Sequence, residues 1–271
     1  MSHLFILDSG ALRCVVDADF GGHIVEFSWH GKNALACDRP EIGSTFWPAP
    51  EAFWGWPPPK VLDKAPYKVV DAGDTQLVIE SGACDLTGLS VRKRFCFNDS
   101  VLGVEYRMTN TTGQTLQFAP WEITRILGGL TFYASDSKPL QKSSAAYKQS
   151  VGVVWHHYQP SDQNGENQKM FGNGSSGWVA NAHEGLLLLM TFTPISATEA
   201  APGEAEIEIY AHGDMSKAYI EMEQQVAYKT IKPGENTSWR VNWHLLEIPD
   251  EISVQPGSTE LLQFVSTHVA D

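Results

Sequence analysis

The sequence has few cysteines, few basic residues and no long apolar run. Its 271 residues include four cysteines, Cys14, Cys37, Cys84 and Cys96, and no Cys-x-x-Cys pair, so nothing indicates a zinc ribbon or a redox motif. We interpret the four cysteines as buried thiols and not as a disulfide framework. No window approaches the ~20 apolar residues needed to span a bilayer, so we expect no membrane association.

Basic residues are outnumbered by acidic ones, 19 to 32, and the formal net charge is −13. A field of that sign repels phosphate backbones, so we expect no nucleic-acid partner. The apolar run at residues 4–7 is too short for a secretory signal. This predicts a cytoplasmic protein, or a periplasmic or secreted one if a signal peptide has been removed.

Nucleotide-binding and hydrolase motifs are also missing. The Gly-rich run at residues 172–177 lacks the lysine and the following helix of a P-loop, and no Gly-x-Ser-x-Gly elbow is present. We therefore expect no cofactor. No EF-hand ligand spacing occurs, and no metal site is predicted, although the surplus of carboxylates leaves calcium binding open.

Short runs of period 2 dominate the sequence, whereas helical periodicity is scarce. Turn residues separate paired runs, as at Gly73-Asp74 and Asn98-Asp99-Ser100. The predicted strands cover residues 12–16, 22–29, 67–70, 76–80, 89–97, 102–109, 116–126, 152–158, 178–182, 186–193, 206–211, 218–227 and 237–247. No linker divides the chain, so we predict one all-β domain over residues 1–271, a large antiparallel sandwich, with residues 248–271 as a C-terminal extension packed on it.

Two long segments lack this period-2 alternation. Residues 46–59 carry five aromatic residues and five prolines, which stiffen the backbone because each proline fixes φ. A rigid indole can stack on the C–H face of a pyranose, so Trp47, Trp54 and Trp56 are candidate sugar-binding residues. The alternative is that these rings close one end of the sandwich as ordinary core. Residues 161–176 are rich in Asn, Gln, Gly and Ser, which predicts a mobile loop.

Two late strands carry alternating acidic side chains. In 218–227, Glu221 and Glu223 share one face, and in 206–211, Glu208 and Tyr210 share one face. If the strands are neighbours, these side chains form one patch that could flank a bound sugar, with Glu221 or Glu223 in proton transfer and Glu208 and Tyr210 in substrate binding. The alternative is a solvated outer sheet face.

Glu122 lies in an otherwise apolar run. Burial without a partner would raise its pKa into the range of a general acid or base. Arg125 falls on the opposite face of the same strand, so the expected partner of Glu122 is Arg92 or Arg94. These two arginines could also bind the charged group of an acidic sugar, as substrate-binding residues.

Two adjacent histidines lie in the run 152–158. His156 and His157 point to opposite faces of a strand, so they cannot chelate one metal ion together. One of them could act as a general acid, because the ordinary pKa of histidine suits that task. The alternative is a structural histidine.

Seven short motifs follow one another over residues 10–247. They are Gly21-Gly22-His23-Ile24, Gly31-Lys32-Asn33-Ala34-Leu35, Trp47-Pro48-Ala49-Pro50, Trp54-Gly55-Trp56-Pro57-Pro58-Pro59, Thr109-Asn110-Thr111, Pro120-Trp121-Glu122 and Lys232-Pro233-Gly234-Glu235. In this order they resemble a branch of the galactose mutarotase-like (aldose 1-epimerase) superfamily. The resemblance implies a β-supersandwich with a concave sugar-binding face.

The resemblance also implies site residues. In mutarotases a late-strand glutamate takes the proton of the anomeric hydroxyl and a mid-chain histidine protonates the ring oxygen. By chain order, Glu223 or Glu221 and His156 or His157 would have these roles. The early Asn-Arg pair of the family is missing here, and so is its histidine motif before an aromatic-Asn-Leu, so Glu122 could instead serve as the base.

These observations favour a protein that binds a monosaccharide or a short oligosaccharide, with sugar mutarotase or epimerase activity by Glu/His proton transfer. Two alternatives remain open. One is a non-catalytic carbohydrate-binding protein on the same fold. The other is a glycoside-cleaving enzyme, which needs two carboxyl groups roughly 5–5.5 Å or 6.5–9.5 Å apart. The sequence does not indicate an oligomeric state.

Overall fold

The computed structural model describes residues 3–37, 42–159, 165–214, 216 and 218–269. Within these ranges the chain forms strands, one 3-10 turn at Glu51–Phe53 and the helices α1 (Lys60–Asp63) and α2 (Thr259–Val269). The strands are β1 (Leu4–Ser9), β2 (Leu12–Asp17), β3 (His23–Trp29), β4 (Lys32–Asn33), β5 (Ser44–Ala49), β6 (Lys68–Ala72), β7 (Gln76–Glu80), β8 (Leu89–Asn98), β9 (Val101–Asn110), β10 (Leu116–Ile126), β11 (Gly129–Ala134), β12 (Lys148–Ser150), β13 (Val153–Tyr158), β14 (Gln168–Gly172), β15 (Trp178–His183), β16 (Leu186–Phe192), β17 (Ile207–Ala211), β18 (Ile220–Gln225), β19 (Lys229–Ile231) and β20 (Asn236–Glu247).

The strands form two large sheets. The first has the order β1-β2-β3-β5-β10-β18-β17-β14, with β4 beside β3 and β19 beside β10. The second has the order β12-β13-β11-β15-β16-β20-β9-β8-β7-β6. Neighbouring strands run antiparallel, as at β10–β18 and β8–β9. The predicted fold class, a large all-β antiparallel sandwich, is confirmed.

Alternation along β10 separates two apolar regions. Phe118 and Ile126 belong to the core between the sheets, together with residues of the second sheet. Ala119, Trp121 and Ile123 belong to a separate cluster on the opposite face of the first sheet. Because side chains alternate across a strand, this opposite face, here called the outer face of the first sheet, collects the odd-numbered residues of β10.

The same alternation aligns the two late strands with β10. Ile207 and Ile209 of β17 and Ile220 and Met222 of β18 enter the core between the sheets. The acidic residues that alternate with them therefore lie on the outer face of the first sheet.

Helix α2 covers part of the second sheet. Its buried residues Leu261 and Val265 belong to one cluster with Leu130, Phe132 and Trp155, on the face turned away from the first sheet. The spacing of four between the two helix residues puts them on one side of the helix. Neither helix in the described ranges has the length and apolar character that crossing a bilayer requires.

Both segments expected to be loops contain strands. Residues 46–49 belong to β5, which pairs with the central strand β10, so Trp47 is directly opposite Trp121. The prolines obscured this strand in the sequence. Residues 168–172 form β14, an edge strand paired with β17. Residues 161–164, the start of the other predicted loop, lie outside the described part of the chain.

Candidate active site

Three glutamates of the late strands meet on the outer face of the first sheet. β17 and β18 are neighbours, which puts Glu208 directly opposite Glu223 and Tyr210 opposite Glu221. Glu208 and Glu223 are each only 1% exposed, and Glu221 is 7% exposed. The two strands are neighbours, which is the condition on which the expected patch depended. The alternative of a solvated sheet face is wrong for these glutamates, because all three are buried.

Two cations pair with the three carboxylates. Nε of Arg125, on β10, lies 2.8 Å from Oε1 of Glu221, and the arginine side chain is fully buried. Nζ of Lys169, on β14, lies 2.8 Å from Oε2 of Glu208 and 3.7 Å from Oε2 of Glu223. We call these five residues the acid cluster. Among these five residues, Lys169 has the most exposed side chain, at 27%. Solvent therefore reaches the acid cluster past this lysine.

The acid cluster favours a shared proton. Burial raises the pKa of Glu223 and of Glu208, and the Lys169 ammonium offsets this only in part. The charge of Glu223 raises the pKa of Glu208 further, because two carboxylates on directly opposite residues resist joint ionisation. Lys169 stays charged, since the two glutamates outweigh its own desolvation and raise its pKa. The raised pKa values of the two glutamates favour a proton held by the pair, which provides a donor beside an acceptor.

Several buried polar atoms on this face have no hydrogen-bond partner among the described residues. They are both carboxylate oxygens of Glu223, the indole Nε1 of Trp121 and Nε2 of Gln225. Buried polar groups are normally satisfied, and leaving one unpaired costs about 1–3 kcal/mol. The set contains both donors and acceptors, so a ligand with several hydroxyl groups would match it.

Tryptophan rings line the face beside the acid cluster. The centroid of Trp47 lies 5.4 Å from that of Trp121, 6.0 Å from that of Trp54 and 5.9 Å from that of Trp56, each pair edge to face. Nζ of Lys169 lies 5.2 Å from the centroid of Trp121, which joins the rings to the acid cluster. Trp47 is buried and Trp56 is 63% exposed. The predicted sugar-binding tryptophans therefore lie on the same face as the late glutamates.

Asp63 binds Trp47, the tryptophan that contacts the other three rings. Its Oδ1 accepts hydrogen bonds from Nε1 of Trp47, at 2.8 Å, and from Oγ1 of Thr45, at 3.0 Å. The ring of His23 contacts the backbone oxygens of Asp63 and Ile42. Burial alone would raise the pKa of Asp63, but hydrogen bonds from His23 and Trp47 and the charge of Arg125 lower it below its ordinary value. No feature of the sequence pointed to Asp63, which follows a proline-rich segment far from the late strands.

Asp63 should contribute to the stability of the fold in a pH-dependent way. Its folded pKa is lower than its ordinary value of 3.8, so its contribution is present above that value and disappears as the pH falls through the folded pKa. We expect the free energy of unfolding to fall below about pH 4, and to fall less steeply in Asp63→Asn. Urea unfolding at several pH values measures this, with the exposed Asp85→Asn as the control. Equal slopes in the wild type and Asp63→Asn would contradict it.

The sequence profile of a family described as a domain of unknown function (DUF4380) matches residues 49–246, well over half of the chain. The chain belongs to the DUF4380 family. A search of the curated proteins finds no match.

Solved structures share the fold of this DUF4380 chain. A galactose mutarotase related enzyme from Lactobacillus acidophilus is 9% identical with a TM-score of 0.65, covering 92% of this chain and 99% of that one. A galactose mutarotase-like protein from Lactobacillus casei is 11% identical with a TM-score of 0.61, covering 90% and 100%. An aldose epimerase homologue from C. elegans is 11% identical with a TM-score of 0.60, covering 92% and 100%. The fold expected from the sequence resemblance is confirmed.

Glu122 of the DUF4380 chain lies on the other face of β10, between the sheets. Its carboxylate accepts hydrogen bonds from Tyr106 at 2.5 Å, Gln224 at 2.5 Å and Trp243 at 3.1 Å. Burial raises its pKa to about 7 despite these bonds. The expected pairing with Arg92 or Arg94 is wrong. Alternation along β8 sends the intervening Lys93 into the core instead of the two arginines.

Arg92 and Arg94 lie on the face of the second sheet that points away from the core. Arg92 pairs with Glu80 at 3.6 Å, and Arg94 donates two hydrogen bonds to Gln76. Together with Glu105 they line a shallow surface pocket. The acid cluster is on the other sheet, so the structure does not bring these arginines to it.

The two histidines are also separated from the acid cluster. His156 is buried on β13, near the edge of the second sheet, and its Nδ1 lies 2.7 Å from the backbone oxygen of Ala146. Burial lowers its pKa. His157 is exposed, as expected for adjacent residues on opposite faces of a strand. Within the described residues, no contact joins either histidine to Glu221 or Glu223.

Lys169 and Arg125 complete the acid cluster but were not candidates from the sequence. Arg125 was expected only on the face opposite Glu122, which is the face of the cluster. Lys169 was hidden in a polar segment interpreted as a loop, although Lys169 and Phe171 flank the buried Met170 with strand-like alternation. The described part of the chain contains no group of three His, Cys, Asp or Glu side chains suited to holding a metal ion.

Proposed function

We propose that this DUF4380 protein binds a sugar on the outer face of the first sheet and interconverts its anomers by proton transfer at Glu223 and Glu208. The observation that carries the proposal is the buried carboxylate of Glu223, which accepts no hydrogen bond from the described residues and lies on one face with the unpartnered indole of Trp121. The shared fold with mutarotase-like proteins supports the same class of substrate.

The glutamate pair supplies both proton transfers that anomer exchange needs. Ionised Glu223 takes the proton of the anomeric hydroxyl, while protonated Glu208 donates its proton to the ring oxygen as the bond between that oxygen and the anomeric carbon breaks. Rotation about the next carbon–carbon bond turns the open-chain aldehyde over. The same steps in reverse close the ring and return both protons. Glu208 thus replaces the histidine expected from the resemblance.

Lys169 and Arg125 act as positioning residues in this scheme. Lys169 contacts both glutamates, so its ammonium holds them together and keeps one of them ionised. Arg125 neutralises Glu221, which would otherwise raise the pKa of Glu223 further. With one proton on the glutamate pair, the two cations of the cluster are matched by two carboxylate charges, so the cluster offers no unmatched cation to bind the charge of an acidic sugar.

A sugar panel tests the proposal. We expect neutral sugars to change the tryptophan fluorescence and to raise the melting temperature, as any ligand selective for the folded state does, whereas uronates have no effect. NMR exchange spectroscopy on the sugars that bind measures the rate of anomer exchange, and Glu80→Gln, an exposed glutamate on the second sheet, is the control variant.

Each outcome of the panel has a distinct meaning. Saturable binding without exchange would favour the non-catalytic carbohydrate-binding protein. Release of new reducing ends from a glycoside would favour cleavage by the same carboxylate pair. No binding by any sugar would contradict the proposed function.

A further inference from the structure

The exposed ring of Trp56 lies at the end of a chain of tryptophans that begins at the acid cluster. Trp121 is buried beneath Lys169, Trp47 contacts Trp121 at 5.4 Å, and Trp56 contacts Trp47 at 5.9 Å between ring centroids. Along this chain the exposed fraction rises from 0% at Trp121 through 3% at Trp47 to 63% at Trp56. The face thus extends from a closed polar site to an open apolar ring.

The backbone around Trp56 presents this ring to solvent in a fixed position. Gly55 has a φ of +66°, in the left-handed region that favours glycine, and Pro57 and Pro58 follow the ring. Pro58 is buried, so the segment is anchored immediately after the exposed ring. A rigid exposed indole loses little conformational entropy when a ligand stacks on it.

From these observations we infer that Trp56 forms an outer subsite for a second sugar residue, so that the preferred substrate is a reducing disaccharide or a longer oligosaccharide. The inference rests on the proposed function, because it takes the reducing-end sugar to lie at Glu223 and Glu208. The next sugar then extends outward, past Trp47, and its apolar face stacks on the ring of Trp56. A monosaccharide would fill the inner site and leave Trp56 uncovered.

The length of the sugar distinguishes the inner site at Glu223 and Glu208 from the outer subsite at Trp56. The rates of anomer exchange are measured on D-glucose, maltose and maltotriose, and on D-galactose and lactose, in the wild type and in Trp56→Ala. We expect kcat/KM of the wild type to be about tenfold higher for the disaccharide than for the monosaccharide in at least one series. Trp56→Ala should lower the disaccharide value about tenfold more than the monosaccharide value.

Phe53→Ala is the matched control. Phe53 belongs to the same segment and is 53% exposed, but its ring contacts Phe118 and lies outside the tryptophan chain. Equal losses in Phe53→Ala and Trp56→Ala would overturn the subsite, because they would indicate a general loosening of the segment. Monosaccharide exchange with no gain for longer sugars, or no effect of Trp56→Ala, would also overturn it and leave the proposed function standing. If no sugar of any length bound, both the outer subsite and the proposed function would be contradicted.

Discussion

Glu223→Gln should lower the rate of anomer exchange by about 10²–10⁴-fold, the usual contribution of a general acid or base. Glutamine keeps the shape of the side chain but cannot take a proton from the anomeric hydroxyl. Because the amide still offers an oxygen acceptor, we expect sugar binding to weaken much less than turnover. NMR exchange spectroscopy gives the rate, and isothermal titration gives the affinity. Glu80→Gln, with an exposed side chain, should retain the wild-type rate.

The fold of Glu223→Gln should remain intact, and unfolding measurements can verify this. The folded pKa of Glu223 is raised by burial, so its contribution to stability is full below the ordinary value of 4.5 and is lost as the pH rises through the folded pKa. The glutamine variant lacks this loss, and we expect it to be at least as stable as the wild type at neutral pH. Full turnover in a folded Glu223→Gln would contradict the assignment of the base.

The pH dependence of turnover provides a further check on the pair. Exchange requires one glutamate protonated and one ionised, so kcat/KM should decline on both sides of an optimum. Glu208→Gln should remove the decline on the alkaline side together with most of the activity, since the donor would no longer titrate.

Most of the fold could be predicted from the sequence because period-2 alternation is a local property. The strands at 76–80 and 116–126 have the predicted bounds, and the other eleven predicted strands differ by one or two residues at one or both ends. The sequence analysis did not predict β1, β4, β11, β12 and β19. β5 was missed because its prolines suggested a loop, although Pro48 pairs across a sheet with another proline, Pro120. β14 was missed because an edge strand needs fewer apolar residues than a central one.

The site was only partly predictable, since it depends on which strands are neighbours. The alternating pattern selected Glu208, Glu221 and Glu223 correctly as one patch, because β17 and β18 follow one another in the chain. Arg125 and Lys169 come from distant parts of the sequence and reach the patch only through the order β10-β18-β17-β14.

Glu122 is a residue for which the sequence indicated burial but not the correct face of the sheet. Its apolar surroundings indicated a buried carboxyl group, and it is buried. Strand alternation, however, places it on the core side of β10, next to Trp121 and Ile123 in sequence but across the sheet from them. A carboxylate hydrogen-bonded to Tyr106, Gln224 and Trp243 there holds the two sheets together, whereas the glutamates of the acid cluster face the opposite side.

Arg125→Met should destabilise the protein by about 3–5 kcal/mol, the usual cost of leaving one partner of a buried ion pair unpaired. The methionine fills much of the volume of the arginine, so the loss reports mainly on the charge of Glu221, whose side chain is 9% exposed. The midpoint and slope of urea unfolding measure the change. Adding Glu221→Leu to Arg125→Met should recover much of the lost stability, because no buried charge then remains at this position.

The exposed pair Arg92–Glu80 offers a matched comparison, with the same substitution on the same type of strand. These side chains are 42% and 40% exposed and lie 3.6 Å apart, so Arg92→Met should cost at most about 1 kcal/mol. A difference of several kcal/mol between the two variants would support burial of the acid cluster in solution. Equal, small losses would mean that water reaches Glu221 and screens its charge. The raised pKa of Glu223 depends on the same burial, so that result would also contradict it.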